Sequence, residues 1–563
     1  MLHAKPQPCS PKTYVSALPD SLGRLLGIAD FSRVSTYFDN MVAINLFHEP
    51  SFYEKLSTIS SSIQICALLT AIRLFVMRFD LEKGNGGSQA DTHQSAPYYL
   101  DLTADYISEA LKECGDDTPP ICVLQACIVS THFQLAQGVL GKAWRSLGTC
   151  VRLAYEMNFH LVDVGVSQDI TEVDPKQWCE DEEKRRAWWA IWEMDVFATT
   201  IRRTPTAMDW SQIDTLLPVA DSHWFQCKPH SSCFLEMDPI HRWKALQRSG
   251  NQSPKAWFIV INSLMKDAQR ISNPRGVPSR SRLSGAQLTS TDSRNGCRWD
   301  KPIAARQRLE VISNAVQCFR LALPKHLKYN NQYLGFDARI PGQYTSLRQE
   351  HSSIYNIYMM TQLARLMIHR YDAFGQFRTA SPPRDQDTTT DVRDRVNASD
   401  RKDWTESLAI KQFFEAADDL LVIVRRSCDD HVRHINPFLS NTIWLASAVL
   451  LVRSQLCRPE SMRSVIRSRY EVMHLTYRKC VDFWDMHNTV QQNLGTLEQR
   501  LEACQRPDRR EQLQSRSSSG RKGSRRQSQR DHQQPSGSHF HSSEYTYTRS
   551  WHKLSWLMTI PNS

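Results

Sequence analysis

Glu182-Glu183-Lys184-Arg185-Arg186-Ala187-Trp188-Trp189-Ala190-Ile191-Trp192-Glu193-Met194-Asp195 is the stretch on which the fold turns. Trp188, Trp189, Ile191, Trp192, Met194, Val196 and Phe197 cover most sides of a helix, so this one should be largely buried. Acidic residues 180–183 stand at its predicted start, where they favour the positive end of the dipole, and Lys184–Arg186 follow one turn on. The 182–186 patch reads as a solvated helix end, with ion pairs contributing roughly a few tenths of a kcal/mol each. Asp195 stands in a nearly apolar helix. It calls for an arginine partner (Arg152, Arg202 and Arg203 are candidates) or a backbone group to cap. A functional titration of a buried acid is the alternative.

Outward from this stretch, the pattern is helix after helix. Residues 121–136 and 141–157 read as a helical hairpin. In its second arm Trp144, Leu147, Val151 and Ala154 form one apolar stripe, with Arg145 and Arg152 off it. Residues 63–79 are strongly apolar, and Tyr99, Leu102, Tyr106 and Ala110 mark one face of a helix over 98–114. Further helices are expected over 256–270, 304–323, 352–370, 410–425, 438–456 and 464–493. The expected fold class is all-α: a multi-helix bundle with polar, mobile loops at 272–301 and 376–402 and a disordered tail.

Composition agrees with a packed body. Apolar residues make up 41% of the 563 and charged residues 23%, ordinary for a globular chain with a sizeable core. The net charge of +10 is concentrated. Residues 506–530 hold nine Lys/Arg against Asp508 and Glu511, a local balance of +7, which leaves the rest near +3 and without a general attraction for nucleic acid. No hydrophobic h-region opens the chain. The mainly apolar run 443–452 is too short to span a bilayer, so no membrane association is expected. Of the fifteen cysteines, Cys66, Cys122, Cys127, Cys150, Cys318 and Cys457 fall inside or at the end of apolar periodic segments, where thiols act as small hydrophobes, and reduced thiols are expected.

Four motifs follow one another between residues 143 and 218: Ala-Trp-Arg-Ser-Leu-Gly (143–148), Val-Arg-Leu-Ala-Tyr-Glu-Met-Asn-Phe-His (151–160), the tryptophan stretch quoted above, and Gln-Ile-Asp-Thr-Leu-Leu-Pro (212–218). This order resembles the middle homology region of fungal zinc-cluster transcription factors. That family has an Ala-Trp…Gly…Ala-Val-Arg-Met-Ala helix ending in Leu-His, an Arg-Arg-Arg-Thr-Trp-Trp…Asp helix and an Ile-Asp…Leu-Pro loop. Residues 37–52, 352–370 and 434–456 resemble its opening Tyr-Phe…His-Pro…Phe segment, its Ala-Arg-Leu-Leu-His-Arg helix and its Asn-Pro-Phe helix. The positions carried by the resemblance, read as mostly structural, are Trp144, Arg152, His160, Arg185, Arg186, Trp188, Trp189, Asp195, Pro205, Ile213, Asp214 and Pro218.

The resemblance implies this organisation: a lead segment (1–30), a first half of the regulatory domain (31–271), a linker (272–301), a second helical half (302–500) and the basic tail with a terminal aromatic segment (501–563). It implies a nuclear regulator of RNA polymerase II transcription in a fungus, pathway-specific in the manner of a metabolic gene cluster, and not an enzyme. The alternative is a finger-less helical co-regulator or scaffold that modulates related factors. Partners would be the transcription machinery or co-regulators and a second copy of the chain. DNA would be met only indirectly or through a module N-terminal to this sequence.

Two departures qualify it. Arg203-Thr204-Pro205 stands where the family has Gly-Arg-Pro, so the turn must avoid positive φ or bear strain. The family's binuclear DNA-binding cluster needs six cysteines that begin each half with Cys-x-x-Cys. No such pair occurs here. No cofactor is therefore expected in this chain, and zinc only if a six-cysteine cluster precedes it. Cys227 and Cys233 with His223 and His230 suggest a mononuclear site, but a loop with incidental ligands is the preferred reading.

In the tail, Arg506, Arg509, Arg510, Arg521, Lys522, Arg525 and Arg526 suit a bipartite nuclear import signal. A solubilising disordered tail explains them equally well. Tyr547, Trp551, Leu554, Trp556 and Leu557 suggest a short partner-binding element or a segment that docks on the body. Trp188, Trp189, Trp192 and Phe197 could line an effector pocket, with plain core packing preferred. Enzyme signatures fail: residues 138–143 have too short a spacing for a phosphate loop, and neither Gly-x-Ser-x-Gly nor His-Glu-x-x-His occurs.

Overall fold

The computed structural model describes residues 28–80, 95–165, 173–272, 302–340, 343–379, 407–457, 459–487 and 489–505. The import-signal residues, the terminal aromatic segment, the linker after Ser272, nearly all of the lead segment and most of the 376–402 insertion lie outside them. Among the described residues there are sixteen α-helices, and the β-structure is one isolated bridge, Leu334–Ser427. The chain is all-α.

The helices are α1 (Ile28–Asn40), α2 (Phe52–Thr58), α3 (Ser62–Asp80), α4 (Ala96–Cys114), α5 (Ile121–Gln137), α6 (Gly141–Glu156), α7 (Pro175–Arg202), α8 (Asp221–Trp224), α9 (Pro239–Ser249), α10 (Pro254–Ser272), α11 (Pro302–Ala322), α12 (Leu347–Thr379), α13 (Leu408–Arg425), α14 (Ser440–Leu456), α15 (Glu460–Trp484) and α16 (Thr489–Gln505). One continuous apolar core runs from Val34 to Leu501 and joins all of them but α8, whose Trp224 packs in a satellite cluster. At its centre lie α5, buried from Cys122 to Ala136, and α7, most of whose residues from Trp178 to Thr199 are buried. Around them α3 packs on α1, α4 and α5. On the other side α10 lies against α12, and α12 against α13.

Four expectations need correction. The long helix begins at Pro175, two turns before Glu182, because Asp174 caps it through Lys176 N and Gln177 N and proline fits the first turn. Residues 182–186 are therefore helix interior, and all but Lys184 are buried. They do not form a solvated end. The helix expected over 464–493 is two. Asp485 takes a left-handed φ of 51° there, and the chain bends to meet the end of α5, with His487 N donating to Gln137 O at 2.8 Å and Gln137 Nε2 to Asp485 Oδ2 at 2.8 Å. The expected helix over 352–370 runs to Thr379, four residues into the supposed insertion. Finally, Ser62–Phe79 is long and apolar enough to cross a membrane, which the run 443–452 is not. Here it packs inside the bundle, where its Arg78 guanidinium lies 4.2 Å from the Phe133 ring centre.

The missing glycine is resolved by strain. Arg203 closes α7 with φ 57°, the left-handed conformation that costs a side-chain-bearing residue about 1–2 kcal/mol. Asp195 supports the turn that follows. Its Oδ2 accepts from Ala207 N (2.9 Å) and Met208 N (3.2 Å), so it caps backbone. Burial lifts its carboxyl to about 6 even so.

His132, in the middle of α5, has neither ring nitrogen hydrogen-bonded among the described residues; its ring centre lies 4.9 Å from that of Phe438. Burial drives its pKa from 6.5 down to about 3. The unfolded chain takes up that proton near pH 6.5 and the folded chain does not, so this residue's contribution is intact above 6.5 and is lost as the pH falls. We expect about 1.4 kcal/mol less stability per pH unit in that window. A His132→Leu variant should unfold at lower pH than the parent. Superimposable acid-unfolding curves would remove His132 from that role.

Candidate functional site

The motif residues act together to lash the 213–221 loop to α7. Arg185 reaches sideways to Asp163, with Nε donating to Oδ2 at 2.9 Å and Nη2 to Oδ1 at 2.6 Å. Asp163 Oδ2 also accepts from Leu216 N at 2.8 Å. Trp189 Nε1 donates to Leu216 O (2.8 Å). Asp214 N donates to His160 O (2.7 Å), and Asp163 N to Asp214 O (3.0 Å). Arg186 holds three groups at once: Glu182 Oε1 (3.0 Å), Asp221 Oδ1 (2.6 Å) and Val219 O (2.7 Å). Burial opposes its charge, but Asp221 and Glu182 outweigh this, and the guanidinium is held more firmly protonated than usual. Charges this deep persist only when paired and hydrogen-bonded.

The loop so fixed forms one wall of a cleft of about 900 Å³. Residues 41–45, the turn at 250–254, the start of α12 and the segment before it also line the cleft, as do Arg186, Ala190, Lys255 and Asn436. Lys255 and Asn436 meet a second acid, the buried Glu193. Lys255 Nζ bridges Glu193 and Ala43 O, and Asn436 Nδ2 donates to the other Glu193 oxygen at 2.6 Å. Asn436 N in turn donates to Asn356 Oδ1 (3.2 Å). The cleft thus has amides (Asn45, Asn251, Asn356), cations and an apolar rim of Met41, Ile44, Phe258 and Leu327. His223 and His230 face each other at its edge with ring centres 4.2 Å apart, and burial, helped by His230 and Lys228, lowers the His223 pKa. Size and lining suit reversible capture of a small polar molecule.

Of the predicted positions, Arg186 and Pro218 line the cleft. Arg185, Trp189 and His160 hold the loop from behind, and Asp214 is part of the loop itself. Trp188, Trp189 and Trp192 are fully buried and line neither this cleft nor the smaller one beside Trp210. Phe197 stacks on Phe438 at 4.1 Å. Trp144 is half-buried under the Arg202 guanidinium, 4.9 Å away, and Arg152 is exposed. Pro205 and Ile213 belong to the loops that follow α7. Asp163 and Glu193, which anchor the latch and the second ion pair, and Lys255 and Asn436, which line the cleft, are residues that the sequence pattern does not single out. A glutamate between Trp192 and Met194 in an apolar helix was the available signal, because it must find a buried cation.

The suggested Cys227/Cys233/His223/His230 site comes apart. Cys233 packs against the main core, whereas Cys227 turns towards His48 and Cys179. Those three side chains are the only close metal-ligand group among the described residues, and two thiols do not satisfy a six-cysteine binuclear cluster.

Residues 34–259, which include the latch and the tryptophan helix, match the family described as fungal specific transcription factor domain. The chain carries a fungal transcription factor domain. Among similar curated proteins are the tropolone cluster transcription factor tropK of Talaromyces stipitatus (26% identical over 148 residues, 26% of this chain and 25% of that one) and the transcription factor tazR of Aspergillus terreus (29% over 119 residues, 21% and 18%). The pigment biosynthesis transcriptional activator pigB of Monascus ruber is 27% identical over 113 residues, 20% of each chain. The matched segment spans about a quarter or less of these relatives, and all three are named as transcription regulators, not enzymes. No solved structure matches this chain. The latch and much of the cleft belong to the matched transcription factor domain, but α11–α16 lie beyond it.

Proposed function

We propose that this protein is a nuclear regulator of RNA polymerase II transcription, specific to one pathway, whose helical body reads a small polar effector in the cleft. The observation that carries the reading is the match of residues 34–259 to the fungal specific transcription factor domain, and the partial likeness of the chain to regulators named for tropolone, pigment and citrinin production supports it. The cleft supplies the sensing part: an effector that binds one arrangement of the latch loop better than another shifts the population between them. Partners are co-regulators or the transcription machinery, and a second copy of the chain.

Deleting the gene should change transcripts of a contiguous set of genes, and restoring it should reverse the change. An unaltered transcriptome in cells that make the protein would overturn the proposal. Removing residues 506–530 should lower nuclear accumulation of a tagged chain; undiminished signal would dismiss the import role of the basic run. The second reading is a co-regulator working through related factors, since the 563 residues themselves hold no Cys-x-x-Cys pair with which to grip DNA. Sequence-specific DNA binding by the purified chain alone would exclude it.

A further inference from the structure

Away from the cleft, a satellite cluster of Trp178, Cys179, Val219 and Trp224 packs with Val173, Phe225 and Cys227. Three distant segments bring soft ligands together in it: His48 from the turn before α2, Cys179 from the second turn of α7, and Cys227 just after α8. Their ligand atoms all lie within 4.8 Å of one another, and Cys227 Sγ is 3.9 Å from His48 Nε2. Two ligands of a tetrahedral zinc ion are about 3.5–3.8 Å apart. We propose that His48, Cys179 and Cys227 form a mononuclear site for a thiophilic divalent cation, zinc above all, with the fourth position open to water.

Three features support this. The imidazole already has an orienting partner, Ser51 Oγ, at 2.7 Å from Nδ1. With the proton on Nδ1 donated to Ser51, Nε2 presents its lone pair; without a cation Nε2–H donates instead to Trp224 O at 3.1 Å. Such a partner on the far nitrogen is the usual support of a metal-bound histidine. Second, Cys227 is held at a φ of 45°, a left-handed backbone uncommon outside glycine, and this places its sulfur towards the other two. Third, charge balances. On binding, both thiols release their protons to solvent, and two thiolates with a divalent ion sum to zero inside an apolar cluster.

The ion would staple the turn before α2 and the segment after α8 to α7, one turn from Glu182 and Glu183. It would stiffen the outer face of the loop that walls the cleft. The donor set is separate from the binuclear cluster of the family and does not depend on the proposed regulatory role.

Titrating the full chain with Co²⁺ alone tests it. The expected result is one equivalent bound, with a thiolate-to-cobalt charge-transfer band and the strong visible bands of tetrahedral Co²⁺, both displaced by Zn²⁺. Cys179→Ser with Cys227→Ser should abolish them, while Cys428→Ser keeps them. Ser51→Ala should weaken Co²⁺ binding roughly tenfold. In the unaltered chain, Zn²⁺ should protect two thiols from alkylation, identified by mass spectrometry as Cys179 and Cys227, a readout that needs no variant to fold. Absence of the charge-transfer band, its survival in the double variant, protection of other cysteines, or a Cys179–Cys227 disulfide in the purified chain would each overturn the proposal.

Discussion

Arg185→Ala is expected to destabilise the protein by about 3–5 kcal/mol, the scale for breaking a buried ion pair from one side. Arg185 and Asp163 retain 6% and 1% of their side-chain exposure. With the guanidinium gone, Asp163 keeps only Leu216 N against its buried charge, and the loop that Asp163 anchors loses its tie to α7. Removing both members should be milder: Arg185→Leu with Asp163→Leu should lose clearly less than the single changes added together, with a coupling of about 2 kcal/mol. Denaturant midpoints of the four proteins measure this. A loss within about 0.5 kcal/mol for Arg185→Ala would mean that water reaches Asp163 and the latch does not hold the wall.

Trp192→Ala should destabilise by a similar amount, about 3–5 kcal/mol, through the transfer of a large ring out of the core and the cavity it leaves. Trp192 is wholly buried, with its ring centre 5.5 Å from that of Trp189 and 5.1 Å from that of Trp210. Its indole N–H has no hydrogen-bond partner among the described residues. Trp192→Phe therefore keeps most of the volume without breaking a hydrogen bond, and it should recover more than half of the loss. Unchanged thermal stability of Trp192→Ala would contradict core packing of this helix.

Helix existence was legible because apolar periodicity is local. The hairpin over α5 and α6 and the buried tryptophan helix follow from spacing alone. Helix ends were legible only where the capping chemistry was weighed. Asp174-Pro175 and Asp238-Pro239 each put a capping carboxylate before a proline, and each starts a helix, α7 and α9, that the periodic pattern placed late or passed over. The error at Glu182–Arg186 had a different origin. A run of charges looks solvated in one dimension, and what buries it is a loop well downstream, which no local rule supplies. The break at Asp485 likewise depends on Gln137, 348 positions away. The cleft was invisible for the same reason: Glu193 meets Asn436 across 243 positions. At Arg203 the sequence reading left two outcomes open, avoidance of positive φ or strain, and the observed φ of 57° decides for strain.

The family match stops at residue 259, inside α10, which continues to Ser272 and leans along its length on α12. Homology borders and folding borders therefore disagree in this protein. A recombinant piece trimmed to 34–259 would end in a severed rod, with Trp257, Phe258 and Ile259 facing buffer where the distal half should shield them. Anyone seeking crystals of the recognised portion should expect inclusion bodies, and should carry the chain through to the end of α16.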